Sequence, residues 1–183
     1  MKKGICCLLA FLLVFAFFGC GNESDDPNVP DGCKLLSSEA LDFSFCYPDE
    51  WEPDRTDGML SVRYNVGTNL TTVYASVSAM AFSLSASDLN MGANNYWDRY
   101  KTQLESNFAG IEFLKEKEET NLGGVVANRN RCKYVQDELE ICFETVICVR
   151  SGYVYLVTLT VPQRNYGDAL PGFETIIKTF RFV

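Results

Sequence analysis

The sequence predicts an α+β domain, an antiparallel β-sheet flanked by helices, and three observations lead there. Strand-length segments rich in β-formers follow one another, bounded by Gly, Asn or Pro. Two of them, residues 139–150 and 153–161, are joined by Ser151-Gly152, a tight antiparallel hairpin turn. The apolar period lengthens from strand-like to helical in one central segment and again near the C terminus.

Taken in order, residues 41–47 alternate, with Phe43, Phe45 and Tyr47 on one face and Ser44 and Cys46 on the other. Pro48 stops this strand, and Trp51 follows. Residues 59–64 and 72–82 read as strands separated by the turn-forming 65–69. Ser87 or Asp88 caps a helix expected to continue to about Phe108. Its Tyr96, Tyr100, Leu104 and Phe108 recur at every fourth place, with Trp97 alongside, as a stripe that packs on a sheet. Gly110 ends it; strands over 111–118 and 125–135 follow, with a turn at 121–124. Pro162 closes the last long strand, and a C-terminal helix over 169–178 carries Pro171 in its first turn. That helix would bury Phe173, Ile176, Ile177 and Phe180.

These landmarks resemble the PsbP-like family. "DFSFCYPDEW", the helix "NNYWDRYKTQLESNF", the strand entry "GGVVANRNRCKY" and the ending "FETIIKTFRF" stand in that family's order, over residues 35–183. The resemblance implies an α/β/α sandwich and a role in binding proteins or supporting assemblies rather than in catalysis. The photosystem member docks through basic residues. This acidic chain has no such patch, so photosystem binding is not implied.

The N terminus carries an address. Lys2 and Lys3 precede an unbroken apolar run, residues 5–18, of 14 residues, shorter than the roughly 20 a membrane-spanning helix needs. A basic start, a short apolar core and Gly19 before Cys20 describe an export signal over residues 1–19. Phe17-Phe18-Gly19-Cys20 resembles a lipobox, with Phe where that box prefers Leu and then a small residue. Cys20 is therefore the expected acylated first residue of the mature chain. Residues 20–32 are polar and acidic, with Pro27 and Pro30, and read as a tether to the domain over 33–183. Asp25, Asp26, Asn28 and Asp31 lack the spacing of a calcium loop.

Charge and composition narrow the function. The chain of 183 residues has a formal charge of −8. Loss of Lys2 and Lys3 with the signal makes it −10 over the remaining 164 residues. Such a chain suits neither nucleic acid nor electrostatic attachment to anionic lipid, leaving the acyl chains to hold the membrane. It contains no histidine, which removes the usual triads and the commonest general base near neutral pH. No metal site, cofactor or phosphate-cradling loop is expected. The carboxylate groups Asp49, Glu50, Glu52, Asp54 and Asp137, Glu138, Glu140 fall in loops, where solvated charge is the ordinary state.

Outside the signal and Cys20 stand Cys33, Cys46, Cys132, Cys142 and Cys148, with no CxxC among them. Export makes disulfides the default. A hairpin turning at Glu39-Ala40 would face Cys33 with Cys46, and one centred on Asp137 would face Cys132 with Cys142. A slip of one residue in the second would instead face Arg131 with Glu144 and separate the cysteines. Cys148 is left unpaired in this scheme.

The expected function is that of a non-enzymatic, membrane-anchored lipoprotein whose domain binds a protein partner in the cell envelope. The domain would face the periplasm or the cell exterior. The alternatives are a carboxylate-dependent hydrolase and a small-ligand binder using a pocket between the sheet and the helix bearing Tyr96 and Tyr100.

Overall fold

The computed structural model describes residues 28–54, 56–67 and 73–183. The signal, Cys20 and most of the tether lie outside the described residues.

The N-terminal strands β1 (Cys33–Ser37) and β2 (Phe43–Pro48) form a hairpin, and β10 (Arg181–Phe182) adds to β2. This three-stranded sheet is small. The main sheet is built from β3 (Glu52–Asp54), β4 (Met59–Asn65), β5 (Tyr74–Ser83), β6 (Glu112–Leu122), β7 (Val125–Gln136), β8 (Leu139–Arg150) and β9 (Tyr153–Pro162). Its seven strands run β3-β4-β5-β9-β8-β7-β6, every pair antiparallel. Helix α1 (Ala93–Asn107) connects β5 to β6. A 3-10 turn (Gln163–Asn165) leads from β9 into α2 (Tyr166–Thr179).

Alternation along the strands divides the interior into two cores. On one face Cys142, Val146 and Cys148 of β8 join Tyr155, Val157, Leu159 and Val161 of β9. Phe173, Ile176 and Ile177 of α2 and Phe43 and Phe45 of β2 cover this face. On the other, Ile147, Val154 and Leu156 meet Trp97 and Leu104 of α1. Helices on both faces of one antiparallel sheet make an α/β/α sandwich, as expected. Each fully buried side chain of Leu, Val or Phe size contributes about 1.5–3 kcal/mol.

Close contact seats α2. A Cβ on Gly172 would stand 2.5 Å from Cζ2 of Trp51, so only glycine lets the helix approach this ring. Trp51 in turn stacks on Tyr64, with ring centroids 5.6 Å apart. Thr179 ties the last turn to β2, its hydroxyl accepting from Cys46 N at 2.9 Å.

Both helices start elsewhere than the sequence predicts. Asp88 accepts from Ser85 Oγ at 2.6 Å and from Arg99 at 2.8 Å, and so organises a separate turn. Gly92 then breaks the chain before α1 begins at Ala93. Helix α2 begins at Tyr166, three residues before the expected 169, which puts Pro171 inside the helix. Its missing N–H falls opposite Gly167, where no side chain adds to the crowding.

The two hairpin registers also differ, and with them the expected cysteine pairings. Between β1 and β2 the turn spans residues 38–42, so Leu35 faces Cys46 and Cys33 faces Pro48. Cys33 and Cys46 are then diagonal neighbours on one face. Between β7 and β8 a two-residue turn has positive φ at Asp137 (49°) and Glu138 (66°), the handedness that suits strand twist. Arg131 therefore faces Glu144, Cys132 faces Phe143 and Lys133 faces Cys142. This is the one-residue slip, and it sends Cys132 and Cys142 to opposite faces of the sheet. Among the described residues no disulfide joins Cys33, Cys46, Cys132, Cys142 or Cys148. Burial pushes Cys132, Cys142 and Cys148 each up to about 12, so they are inert neutral groups in the two cores.

Unfolding the protein in denaturant without reductant should expose Cys132 and Cys142 to alkylation at once, read by peptide mass. The native protein should leave them unlabelled. Resistance to alkylation in the denatured, unreduced chain would show a bridge and contradict the register.

Candidate functional site

Helix α1 does not cover its face of the sheet evenly. Trp97 meets Phe113 of β6 at 5.8 Å between ring centroids, and Phe108, just past the helix, meets Tyr134 of β7 at 4.4 Å and Phe143 of β8 at 5.5 Å. Beyond them a groove of about 410 Å³ lies between α1 and strands β5 and β9. Its floor is two directly opposed pairs, Ser78 with Thr158 and Met80 with Leu156. Tyr96, Tyr100 and Gln103 line it from α1, and Phe82 stands at its end. The Tyr96 and Tyr100 rings lie near-parallel, 26° apart, with centroids separated by 6.4 Å. Burial, the larger influence, raises the phenol of Tyr100 above its ordinary value, so it stays a neutral donor and acceptor.

The groove floor belongs to a polar row across the sheet. Ser61, Ser78, Thr158, Thr145 and Asn130 face one another strand by strand from β4 to β7. Thr145 and Thr158 share a hydrogen bond of 3.1 Å between their hydroxyls. Asn130 is buried, donating to Asn128 at 2.6 Å and accepting from Lys117 N at 2.7 Å. The row is thus closed under α1 and open in the groove.

A second polar cluster sits on the other face, between the sheet and α2. Glu144, only 2 % exposed, points from the middle of β8 into the larger core. It accepts hydrogen bonds from Arg129 Nε and from the Tyr166 hydroxyl at the start of α2. Arg129 also donates to Glu174 of α2 at 2.6 Å. Burial opposes the Arg129 charge, but its bonds and attraction to Glu174 and Glu144 outweigh that and hold it above its usual value. Burial, and then the bond to Glu144, push Tyr166 up to about 12. Arg131 lies over the Tyr166 ring, 4.9 Å from its centroid. This network satisfies a buried carboxylate and pins α2 to β7 and β8.

No family model matches the sequence, and neither does any curated protein. Solved structures do match. Cyanobacterial PsbP (CyanoP) from Synechocystis sp. PCC 6803 superposes with a TM-score of 0.62 at 14 % identity, covering 91 % of this chain and 99 % of that one. The chain has the PsbP/Mog1-like fold. The Saccharomyces cerevisiae Ran-binding protein Mog1p matches with a TM-score of 0.51 at 11 % identity, covering 82 % of this chain and 95 % of its own. A Pseudomonas aeruginosa protein, PA94, matches with 0.53 at 17 %, covering 78 % and 91 %. At these identities the likeness concerns the fold.

Within that fold the carboxylate groups singled out from the sequence stay in solvent. Asp49, Glu50, Glu52 and Asp54 are exposed, with Lys34 3.8 Å from Asp49 and Arg63 3.5 Å from Glu52. Asp137, Glu138 and Glu140 are exposed as well, and Lys133 bridges Glu140 at 3.1 Å and Glu112 at 3.4 Å. Neither group forms the enclosed carboxylate pair that hydrolysis of a glycosidic bond needs. Among the described residues no group of three or more metal-binding side chains comes together. The aromatic stripe of α1 packs on the sheet as expected, and its Tyr96 and Tyr100 also border the groove.

The Glu144 cluster was missed, though Glu144 interrupts the apolar run "ICFETVICV". A charge inside a doubly covered strand must find a partner, and Arg129 and Arg131 on the preceding strand were the available ones. Glu144→Gln should destabilise the fold by about 3 kcal/mol, because Arg129 and Tyr166 lose a buried partner. Urea denaturation checks this; a loss below about 1 kcal/mol, the size of an exposed pair, would show the cluster to be solvated.

Proposed function

We propose that this chain is an exported lipoprotein, acylated on Cys20, whose domain binds a protein partner in the cell envelope rather than catalysing a reaction. The export signal over residues 1–19 and the Gly19-Cys20 junction support the anchor, and residues 20–32 supply the tether. Membrane attachment then runs through the acyl chains, and the acidic surface disfavours nucleic acid.

The observation that carries the binding role is a group of exposed apolar side chains at one end of the main sheet. Phe82 is 48 % exposed, Leu89 55 % and Tyr153 47 %. They ring the end of the sheet where β5 ends and β9 begins: Phe82 stands on the groove face, Tyr153, opposite Ser83, on the α2 face, and Leu89 lies against Gly152 of the hairpin turn between them. An apolar rim of this kind around one end of a sheet offers a partner a contact surface. The use of this fold by the Ran-binding protein Mog1p supports protein binding as a role the scaffold accommodates.

Two measurements test the reading. The intact mass of protein extracted from its membrane should equal residues 20–183 plus acyl chains; an unacylated mass removes the anchor. A photo-crosslinking residue at Leu89 should capture one discrete envelope protein, and Phe82→Ser with Tyr153→Ser should abolish the product. The same label at Asp137, at the far end of the β7–β8 hairpin, should capture none. Equal capture at both positions, or at neither, would contradict the proposed surface.

A further inference from the structure

We infer that the groove between α1 and strands β5 and β9 is a binding site for a neutral carbohydrate chain. This goes beyond the protein-partner reading and shares with it only Phe82, at the groove's end.

The chemistry of the lining selects the ligand. Every side chain that borders the groove is uncharged, in a chain whose net charge is −8. Three of the four charged residues of α1 are engaged elsewhere, Arg99 with Asp88 at 2.8 Å, Lys101 with Glu116 at 2.9 Å and Asp98 with Lys117 at 2.7 Å, and the fourth, Glu105, does not border the groove. An ionic ligand would therefore leave water without a counter-charge to receive it. A purely apolar ligand is disfavoured in its turn. Ser78 on the floor and Gln103 of α1 are polar, and an apolar occupant would cover them without offering a hydrogen bond.

A sugar meets both requirements. Its C–H face packs on an aromatic ring, and Tyr96 and Tyr100 present two near-parallel rings on successive turns of one helix. Its hydroxyls donate and accept at once, as do Ser, Thr, Tyr and the Gln amide. An extended peptide is the weaker fit, because strand addition needs a free sheet edge. Here β5 is already paired with β4 and β9, and β9 with β5 and β8. The volume of about 410 Å³ is within the usual ligand range of about 300–1,000 Å³.

Titration calorimetry on the full-length chain, in a detergent without a sugar headgroup, tests the assignment. The probes are two neutral hexasaccharides, cellohexaose and hexa-N-acetylchitohexaose, the anionic hexagalacturonate, and the apolar dye N-phenyl-1-naphthylamine. At least one neutral hexasaccharide should bind saturably, and hexagalacturonate should not. Tyr96→Ala should weaken binding about tenfold, the equivalent of losing one good ring contact. Gln103→Ala, an exposed helix position where alanine suits the backbone, should weaken it severalfold with an unchanged melting temperature. No heat from either neutral sugar, equal binding of hexagalacturonate, binding of the dye alone, or sugar binding unaffected by both substitutions would each overturn the site. The crosslink at Leu89 reads the protein partner independently, so either conclusion can fail without the other.

Discussion

Strands β8 and β9 are buried on both faces, and most of the molecule follows from the need to cover them twice. Val146 and Ile147 are neighbours in sequence, yet one enters the core under α2 and the other the core under α1. A strand with two apolar faces has no solvent side to define its register. The register must then be set at its ends, by the turn at Asp137-Glu138 and the turn at Ser151-Gly152. One cover is broad, because α2 shares its face with Phe43, Phe45 and Trp51. The other is narrower, because α1 is a single helix lying toward β6–β8, and the groove is what it leaves open.

Polar groups mark the same asymmetry. Under the broad cover, Glu144 is enclosed; Arg129 and Tyr166 donate to it, and Arg129 donates also to Glu174. The arrangement adds direction to α2, since an apolar helix face alone would tolerate sliding that a hydrogen-bonded carboxylate does not. Under the narrower cover, the row from Ser61 to Asn130 is bonded internally where α1 lies on it and open where it does not. Binding surface and structural network are two parts of one row.

Much of the fold was legible in the sequence because its signals are local. The β8–β9 hairpin turn at Ser151-Gly152, the fourfold aromatic spacing of α1 and the apolar side of α2 each rest on a few neighbouring residues. Registers were not legible, because they turn on single positions. Asp137 and Glu138 adopt positive φ without a glycine to announce it, and that turn moves Cys132 from Cys142 to Phe143. The start of α2 was hidden by Pro171, which usually sits in a first turn but here lies opposite Gly167. For the site, Tyr96 and Tyr100 were visible as a stripe. Which strands the stripe would cover, and which it would leave beside a groove, depends on where one helix comes to rest on a seven-stranded sheet.

Hydroxyl-radical footprinting of the native protein, read residue by residue by mass spectrometry, measures that uneven cover directly. Met80, Phe82 and Leu89 should be oxidised readily, while Trp97, Phe43 and Phe173, each at most 1 % exposed, stay protected. Protection of Met80 and Phe82 to the level of Trp97 would mean that the groove face is covered, and would contradict the account.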